Sequence, residues 1–280
     1  MPELPEVETV RRILRRALGG KRIAAAEVVP DEIVLSGRDP AELERHLLGA
    51  TVCEVGRKGK YWWLELDRAP FVFGHLGMAG WIREIGQPSI RLLEHGNAPW
   101  EDESGRPRFL KLMLQAEDGA RIAFTDGRRL ARLWTANSPA EDRAVQALGP
   151  DTYEAMPAAA ELHAMLAKRK APIKALLLDQ KLFAGIGNWL ADEALYQARI
   201  APARGANTLT RKEVARLRDV LWQILDHAVK VGADASQYPS GWLFNHRWGG
   251  AKGTDTIDGH AIVRDTIGGR TTAWCPSLQK

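Results

Sequence analysis

Apolar residues at Val7, Val10, Leu14, Ala17 and Leu18 recur at helical spacing and predict an amphipathic helix over about residues 5–18. Behind it the period shortens. Short runs rich in β-branched and aromatic residues at 22–29, 51–56, 61–66, 71–76, 81–85, 109–115 and 121–125, parted by Gly, Pro and Asp, predict strands. Residues 39–48 predict a short helix with Pro40 in its first turn. The polar stretch 86–108 carries Pro88, Pro99 and Pro107 and reads as a long surface loop. Many short strands behind one helix point to a β-sandwich or flattened barrel.

Residues 138–154 read as a junction: Ser138-Pro139, a short helical stretch, then Leu148-Gly149-Pro150-Asp151. From there the period is helical again. Leu162, Met165 and Leu166 mark one helix, and 172–179 and 188–199 predict two more, split by 180–187. Val214, Leu217, Leu221, Ile224, Leu225 and Ala228 mark a long helix, and the last 35 residues return to a Gly-rich, β-like pattern. The fold class is therefore α+β. Its expected divisions are a β-sandwich domain at 1–137, a linker at 138–150, a helical domain at 151–245 and a β-hairpin segment at 246–280. No repeat or low-complexity tract is present.

At 280 residues and 45% hydrophobic, the chain is long enough for one large or two ordinary cores. A formal charge of +4 and a pI of about 9.1 suit a polyanionic partner, though weakly. Two cysteines, Cys53 and Cys275, imply no disulfide framework and fit a reducing compartment. Neither a signal peptide nor an apolar run long enough to cross a membrane is read. Most of the ten tryptophans are expected in cores or interfaces.

The chemistry starts at Met1-Pro2-Glu3-Leu4-Pro5-Glu6-Val7-Glu8. If Met1 is trimmed, Pro2 becomes a terminal secondary amine, whose pKa of about 8 leaves far more free base near neutrality than a lysine has. Such an amine attacking a sugar C1′ gives an iminium ion, an electron sink, without further proton loss. Glu3 is placed to move protons in those steps, and Glu6 to orient Glu3 or the amine. The plain alternative is ordinary helix-start chemistry, with proline and acids in the first turn.

Other motifs are ambiguous alone. Gly56-Arg57-Lys58-Gly59-Lys60-Tyr61 places cations on a turn before an aromatic strand, either a phosphate grip or a solvated basic turn. His75-Leu76-Gly77-Met78-Ala79-Gly80 presents a methionine between glycines, and Asp126-Gly127-Arg128-Arg129-Leu130 is a tight basic turn. Flipping a base out of a duplex requires something to fill the hole, and an apolar wedge with an arginine suits that task. Gly185-Ile186-Gly187-Asn188 opens a helix and is at least an N-cap. The seven histidines show no catalytic or metal spacing; His75 and His246 read as structural or phosphate-adjacent.

Taken together, the first eight residues followed by Arg11-Arg12, and the run Leu182-Phe183-Ala184-Gly185-Ile186-Gly187-Asn188-Trp189-Leu190-Ala191-Asp192-Glu193, resemble the formamidopyrimidine-DNA glycosylases over nearly the whole chain. The resemblance implies a bifunctional base-excision enzyme, a DNA glycosylase and AP lyase, acting on damaged double-stranded DNA as a monomer without a cofactor or membrane. It implies Pro2 as nucleophile, Glu3 as proton-transfer group and Lys60 as a catalytic-site phosphate contact. It implies Met78, Arg128 and Leu130 as gap fillers, leucine standing where phenylalanine is usual. It also implies a helix–two-turns–helix element in which Lys174 and Asn188 reach phosphates.

Many relatives end in a four-cysteine zinc finger, and the positions matching those cysteines here are Asp255, Asp258, Cys275 and Leu278. Leucine cannot ligate, and two aspartates with one thiolate are a poor set for structural zinc even if His260 is recruited. The segment instead resembles the zincless finger of plant and fungal members, with Val231-Gly232-Ala233-Asp234, Trp242-Leu243-Phe244-Asn245 and Gly268–Trp274 matching and Arg270 as the phosphate clasp. The loop 233–250 is shorter than the lesion-capping loop of many bacterial relatives, which implies a preference for formamidopyrimidines and hydantoins over 8-oxoguanine. Two rivals stay open: an endonuclease VIII-like glycosylase for oxidised pyrimidines, and a non-catalytic damage sensor. The expected location is cytoplasmic and nucleoid-associated for a bacterial source, nuclear or organellar for a eukaryotic one.

Overall fold

The computed structural model describes residues 2–92, 95–249 and 255–280. Several expectations fall partly outside them: removal of Met1, the surface loop 86–108 at residues 93 and 94, the loop 233–250 at Gly250, and the segment 246–280 at residues 250–254. The chain divides into two compact units, Met1–Ala147 and Leu148–Lys280.

In the first unit, helix α1 (Leu4–Leu18) buries the predicted stripe Val7, Val10, Leu14, Ala17 and Leu18, and with it Leu4, Pro5, Glu6 and Glu8. Two antiparallel four-stranded sheets follow. One has the order β1-β6-β7-β5, from Ile23–Val28, Leu110–Ala116, Arg121–Thr125 and Trp81–Glu84. The other has the order β2-β3-β4-β8, from Val52–Lys58, Tyr61–Leu66, Phe71–His75 and Arg132–Ala136. Burial alternates strictly along β3 and β6, so each sheet turns one face inward. Trp62 of one sheet meets Phe124 of the other edge to face at 6.2 Å, in a core both sheets share with α1. A short helix α2 (Pro40–Leu47), capped by Asp39, covers β1. Strand β8 lay outside the sequence expectation because it is an edge strand with one buried side chain, Leu133, and so lacks an alternating apolar signal.

Two polar stretches turn out to be anchored. Within 86–108, Ile90, Leu92 and Trp100 pack against the core, and Arg91 lies over the Trp100 ring at 4.2 Å. Much of the expected linker belongs to the first unit: Trp134 Nε1 donates to Asp142 Oδ2 at 2.7 Å, and Asp142 caps the short helix α3 (Arg143–Gln146).

In the second unit, α4 (Ala159–Leu166), α5 (Ile173–Leu177), α6 (Asn188–Gln197) and α7 (Arg211–Lys230) form a helical group. Every residue of α6 from Trp189 to Tyr196 is buried, which makes α6 the central rod. The long helix α7 starts in a reciprocal capping box between Thr210 and Glu213. Two hairpins complete the unit: β9–β10 (Thr256–Ile257, His260–Ala261) and β11–β12 (Val263–Ile267, Arg270–Trp274). Gly268 and Gly269, both at positive φ, supply the two-residue turn of the latter.

Candidate active site and nucleic-acid interface

The start of α1 is held by its own side chains. Glu3 is the N-cap, and Glu6 Oε2 accepts from Glu3 N at 2.8 Å. This bond satisfies the Glu3 N–H and fixes the backbone that carries Pro2 and Glu3. Pro2 is buried, Glu3 is 1% exposed and Glu6 5% exposed, so the acids lie in a low-dielectric pocket. Burial, and then the neighbouring Glu3 charge, push the Glu6 carboxyl up from 4.5 to about 7. An acid held near neutrality beside a second carboxyl is the pairing that proton-transfer chemistry uses.

One turn further along α1, Glu8 organises a brace. It takes Arg11 Nε at 2.8 Å, Arg12 Nε at 2.9 Å and Arg57 Nε at 3.1 Å. Burial alone would raise the Glu8 carboxyl, but the hydrogen bonds and charges of these guanidinium groups hold it at about 2. Arg57, with a fully buried side chain, also donates Nη1 to the Gly59 carbonyl at 3.1 Å. Gly59, at φ +57, and Lys60 form the two-residue turn between the paired residues Lys58 and Tyr61. The chain Glu8–Arg57–Gly59 therefore fixes the Lys60 turn relative to the helix that carries Pro2 and Glu3. Arg57, read from the sequence as one of the cations on the basic turn, is instead buried on Glu8; Glu8 had no expected role, and an acid two positions after Glu6 in a helix rich in arginine was the available signal.

The two loops expected to fill a gap meet through their backbones. A Cβ at Gly77 would lie 2.4 Å from the Leu130 carbonyl carbon and 2.5 Å from Ala131 N, so only glycine allows this approach. His75 Nδ1 accepts from Gly77 N at 3.1 Å; burial first, then the Lys60 and Arg132 charges, lower this imidazole to about 4 and keep it an acceptor. His75 is thus structural. Asp126 shapes the other loop, accepting from Arg128 N, Leu130 N and Ala131 N at 2.9, 2.8 and 2.7 Å. Arg129, at φ +55, is tied to Asp31 by two hydrogen bonds. The outcome is that Arg128 and Leu130 (42% exposed) stand out on a rigid turn beside the half-buried Met78.

In the second unit, α5, the two turns and α6 converge on the hairpin β11–β12. Asn188 Nδ2 donates to the Thr271 carbonyl at 2.8 Å, and a Cβ at Gly268 would touch Ala175 of α5 at 3.1 Å. Arg270 stays exposed at the start of β12. Lys174 requires a correction. It was expected at a phosphate, but its side chain is fully buried: Nζ lies 2.6 Å from Asp192 Oδ1 and donates to Thr272 Oγ1 at 2.7 Å and to the Thr271 carbonyl at 3.2 Å. Asp192 also takes Arg247 Nη2 at 2.7 Å and Ala273 N at 3.1 Å. Lys174 and Asp192 together dock the hairpin on the helices.

The positions matched to zinc ligands do not fit a metal. Asp255 pairs with Arg264 at 3.1 Å, Leu278 packs in the apolar cluster of the finger, and the buried Cys275 thiol is pushed up by burial, away from the thiolate zinc needs. Among the described residues, no group of three or more His, Cys, Asp or Glu is arranged to hold a metal ion.

A sandwich that buries the beginning of the chain, with a helix–two-turns–helix unit clasping a β-hairpin, defines a class: the DNA glycosylases of DNA repair. Comparison with known proteins narrows it. Residues 1–133 match the model of the formamidopyrimidine-DNA glycosylase N-terminal domain, and residues 148–240 match that of the H2TH domain of the same family. A formamidopyrimidine-DNA glycosylase of Arabidopsis thaliana is 39% identical over 100% of this chain and 71% of its own. One of Rhizorhabdus wittichii is 35% identical over 100% of both. Among solved structures, Lactococcus lactis Fpg bound to DNA containing an oxidised pyrimidine matches with TM-score 0.79 and 26% identity over 100% of both chains. The same protein bound to FAPY-dG DNA matches with TM-score 0.77 and 25% identity over 99% of this chain and 100% of that one. The chain belongs to the formamidopyrimidine-DNA glycosylase family. Among the described residues, no helix is long and apolar enough to cross a membrane.

Proposed function

We propose that this protein is a bifunctional DNA glycosylase and AP lyase that removes oxidised purines, formamidopyrimidines and hydantoins foremost, from duplex DNA. The observation that carries this reading is the buried Glu3–Glu6 pair at the start of α1, braced through Glu8 and Arg57 to the Lys60 turn.

The reaction runs from the amine freed when Met1 is removed. The Pro2 nitrogen attacks C1′ of the everted nucleotide and the C1′–N bond breaks, its electron pair leaving with the base, which takes up a proton. Glu3 moves protons at the sugar, and the buried Glu6 holds the Glu3 backbone in place. The Pro2 N–H proton is lost, the nitrogen electron pair forms C1′=N and the C1′–O4′ bond breaks, O4′ taking up a proton through Glu3. Because Pro2 is a secondary amine, the product is an iminium ion, which acidifies the C2′ proton. Loss of that proton expels the 3′ phosphate, and a second elimination expels the 5′ phosphate. Lys60 steers the sugar through its phosphate, Asn188 and Arg270 hold the backbone, and Met78, Arg128 and Leu130 occupy the vacated space. Lys174 acts from inside, by keeping the strand of Arg270 against α6.

The test is borohydride trapping on duplexes carrying a formamidopyrimidine, a hydantoin, 8-oxoguanine or an oxidised pyrimidine. The Lactococcus relative is seen with both FAPY-dG and oxidised-pyrimidine DNA, so the pyrimidine arm tests the nearest rival. Faster trapping on the purine lesions is expected. Faster trapping on the pyrimidine lesion transfers the chain to the rival substrate class, and no adduct on any lesion leaves only damage binding.

A further inference from the structure

Phe109 is out of place for an apolar residue. It is 58% exposed, and its backbone sits at φ +57, a region that bulky side chains avoid. Such an outlier persists when the surrounding structure holds it, and it is a reason to look for function. What holds it here is visible: the Phe109 carbonyl accepts from Asp126 N at 3.0 Å, and the next residue, Leu110, pairs with Thr125. The ring therefore lies against the loop that begins at Asp126; a Cβ on Gly127 would be 3.2 Å from it. The loop that carries Arg128 and Leu130 thus also carries, lent by its neighbouring strand, an exposed aromatic ring.

The surroundings are cationic. Arg108 lies over the Phe109 ring at 5.5 Å. Phe109, Arg108, Arg128 and Gly127 line a cavity of about 260 Å³ whose far wall is Trp100 with Arg91 stacked on it. That volume is below the roughly 300–1,000 Å³ of sites that take drug-sized molecules, and suits a single ring system. Ala79, next to Met78, completes the rim, so the cavity opens beside both gap-filling loops. Aromatic faces among arginines attract a flat, electron-rich ring attached to a phosphate chain.

We infer that Phe109, with Arg108 on its face and the adjoining cavity, is a stacking platform for the base opposite the lesion, and supplies the aromatic surface that Leu130 lacks. This rests on the glycosylase reading above and deepens it. Leu130 wedges and Arg128 faces the edge of the abandoned base; Phe109 takes its π-face. The aromatic surface offered to the opposite base is then placed one strand away from the motif that carries the wedge.

The experiment uses the full chain and a duplex with a tetrahydrofuran abasic analogue, 2-aminopurine being the base opposite it. Wild type is expected to bind and to quench the 2-aminopurine by stacking. Phe109→Ala, whose ring is exposed, should keep the wild-type melting temperature yet lose the quenching and bind about tenfold more weakly, the scale of one base–aromatic contact. Phe109→Tyr should restore both, and Leu130→Phe added to Phe109→Ala should restore them in part. Quenching and affinity unchanged in Phe109→Ala, or lost only in Leu130→Ala, overturn the inference while leaving the glycosylase reading intact. Failure of wild type to bind this duplex overturns both.

Discussion

At the scale of single residues, the account turns on groups whose charge or nucleophilicity is set by burial. Pro2 was legible in the sequence as a candidate, because a proline behind Met1 has one chemical distinction, its secondary amine. Its setting was not legible: the partners that fix it, Glu8 and Arg57, are separated by 49 positions and meet only in the fold. Pro2→Gly keeps a primary terminal amine, so some borohydride adduct should survive, at a rate reduced ~10–100-fold if the secondary amine carries the advantage argued here. Acetylation of the terminus should abolish the adduct. Glu193 offers a test by pH. Burial above all raises its carboxyl from 4.5 to about 7, although it accepts from Phe244 N at 2.7 Å and from Gln197 Nε2. With a folded pKa above the unfolded one, its contribution to stability is complete below pH 4.5 and is lost as pH rises through about 7. Glu193→Gln should therefore flatten the fall of melting temperature between those values and raise stability above them. An unchanged slope would show that Glu193 is not the group responsible.

At the scale of elements, helices and hairpins were readable where one periodicity ran unbroken, as along α1, α7 and the alternating β3. They were hidden where tertiary partners replace local signal. Strand β8 shows one buried side chain, and the polar 86–108 segment is tied down by a few apolar anchors and by Arg91 on Trp100. Lys174 shows the same lesson at a site: a motif supplied a cation, and only the fold showed that Asp192 neutralises it. Asp192→Ala leaves Lys174 and Arg247 buried without their carboxylate, which should cost ~3–5 kcal/mol, read by denaturant unfolding of the full chain. DNA affinity should fall with it as the strand of Arg270 loosens. In the first unit, Asp126→Ala removes the acceptor of three backbone N–H groups and should cost ~1–3 kcal/mol. Its sharper signature is functional: the opposite-base preference should weaken more than abasic-site trapping does, because the turn carrying Arg128 and Leu130 loses its shape. Equal loss in both assays would count against a positioning role.

For the molecule as a whole, resemblance to a family came from sequence order: the start of the chain, the Met78 and Arg128 loops, the Asn188 turn and the finger, each in its expected place. The α+β architecture and the two matched domains agree with that order. Lesion preference and opposite-base contacts lie beyond what spacing reveals, because they depend on shape and stacking; the contact proposed for Phe109 concerns the opposite base. The phosphate-gripping roles proposed for Lys60, Asn188 and Arg270 predict that affinity for a damaged duplex falls steeply with ionic strength. Roughly 0.9 is expected on a log–log plot for each phosphate neutralised. A flat response between low and moderate salt would remove those roles. The most direct test of the central claim joins chemistry to position: trap the full-length enzyme on abasic duplex DNA with borohydride, digest it, and locate the adduct by mass. The account predicts a sugar remnant on a peptide that begins at Pro2, with Met1 absent. An adduct on a lysine, or an active enzyme that keeps Met1, would contradict it.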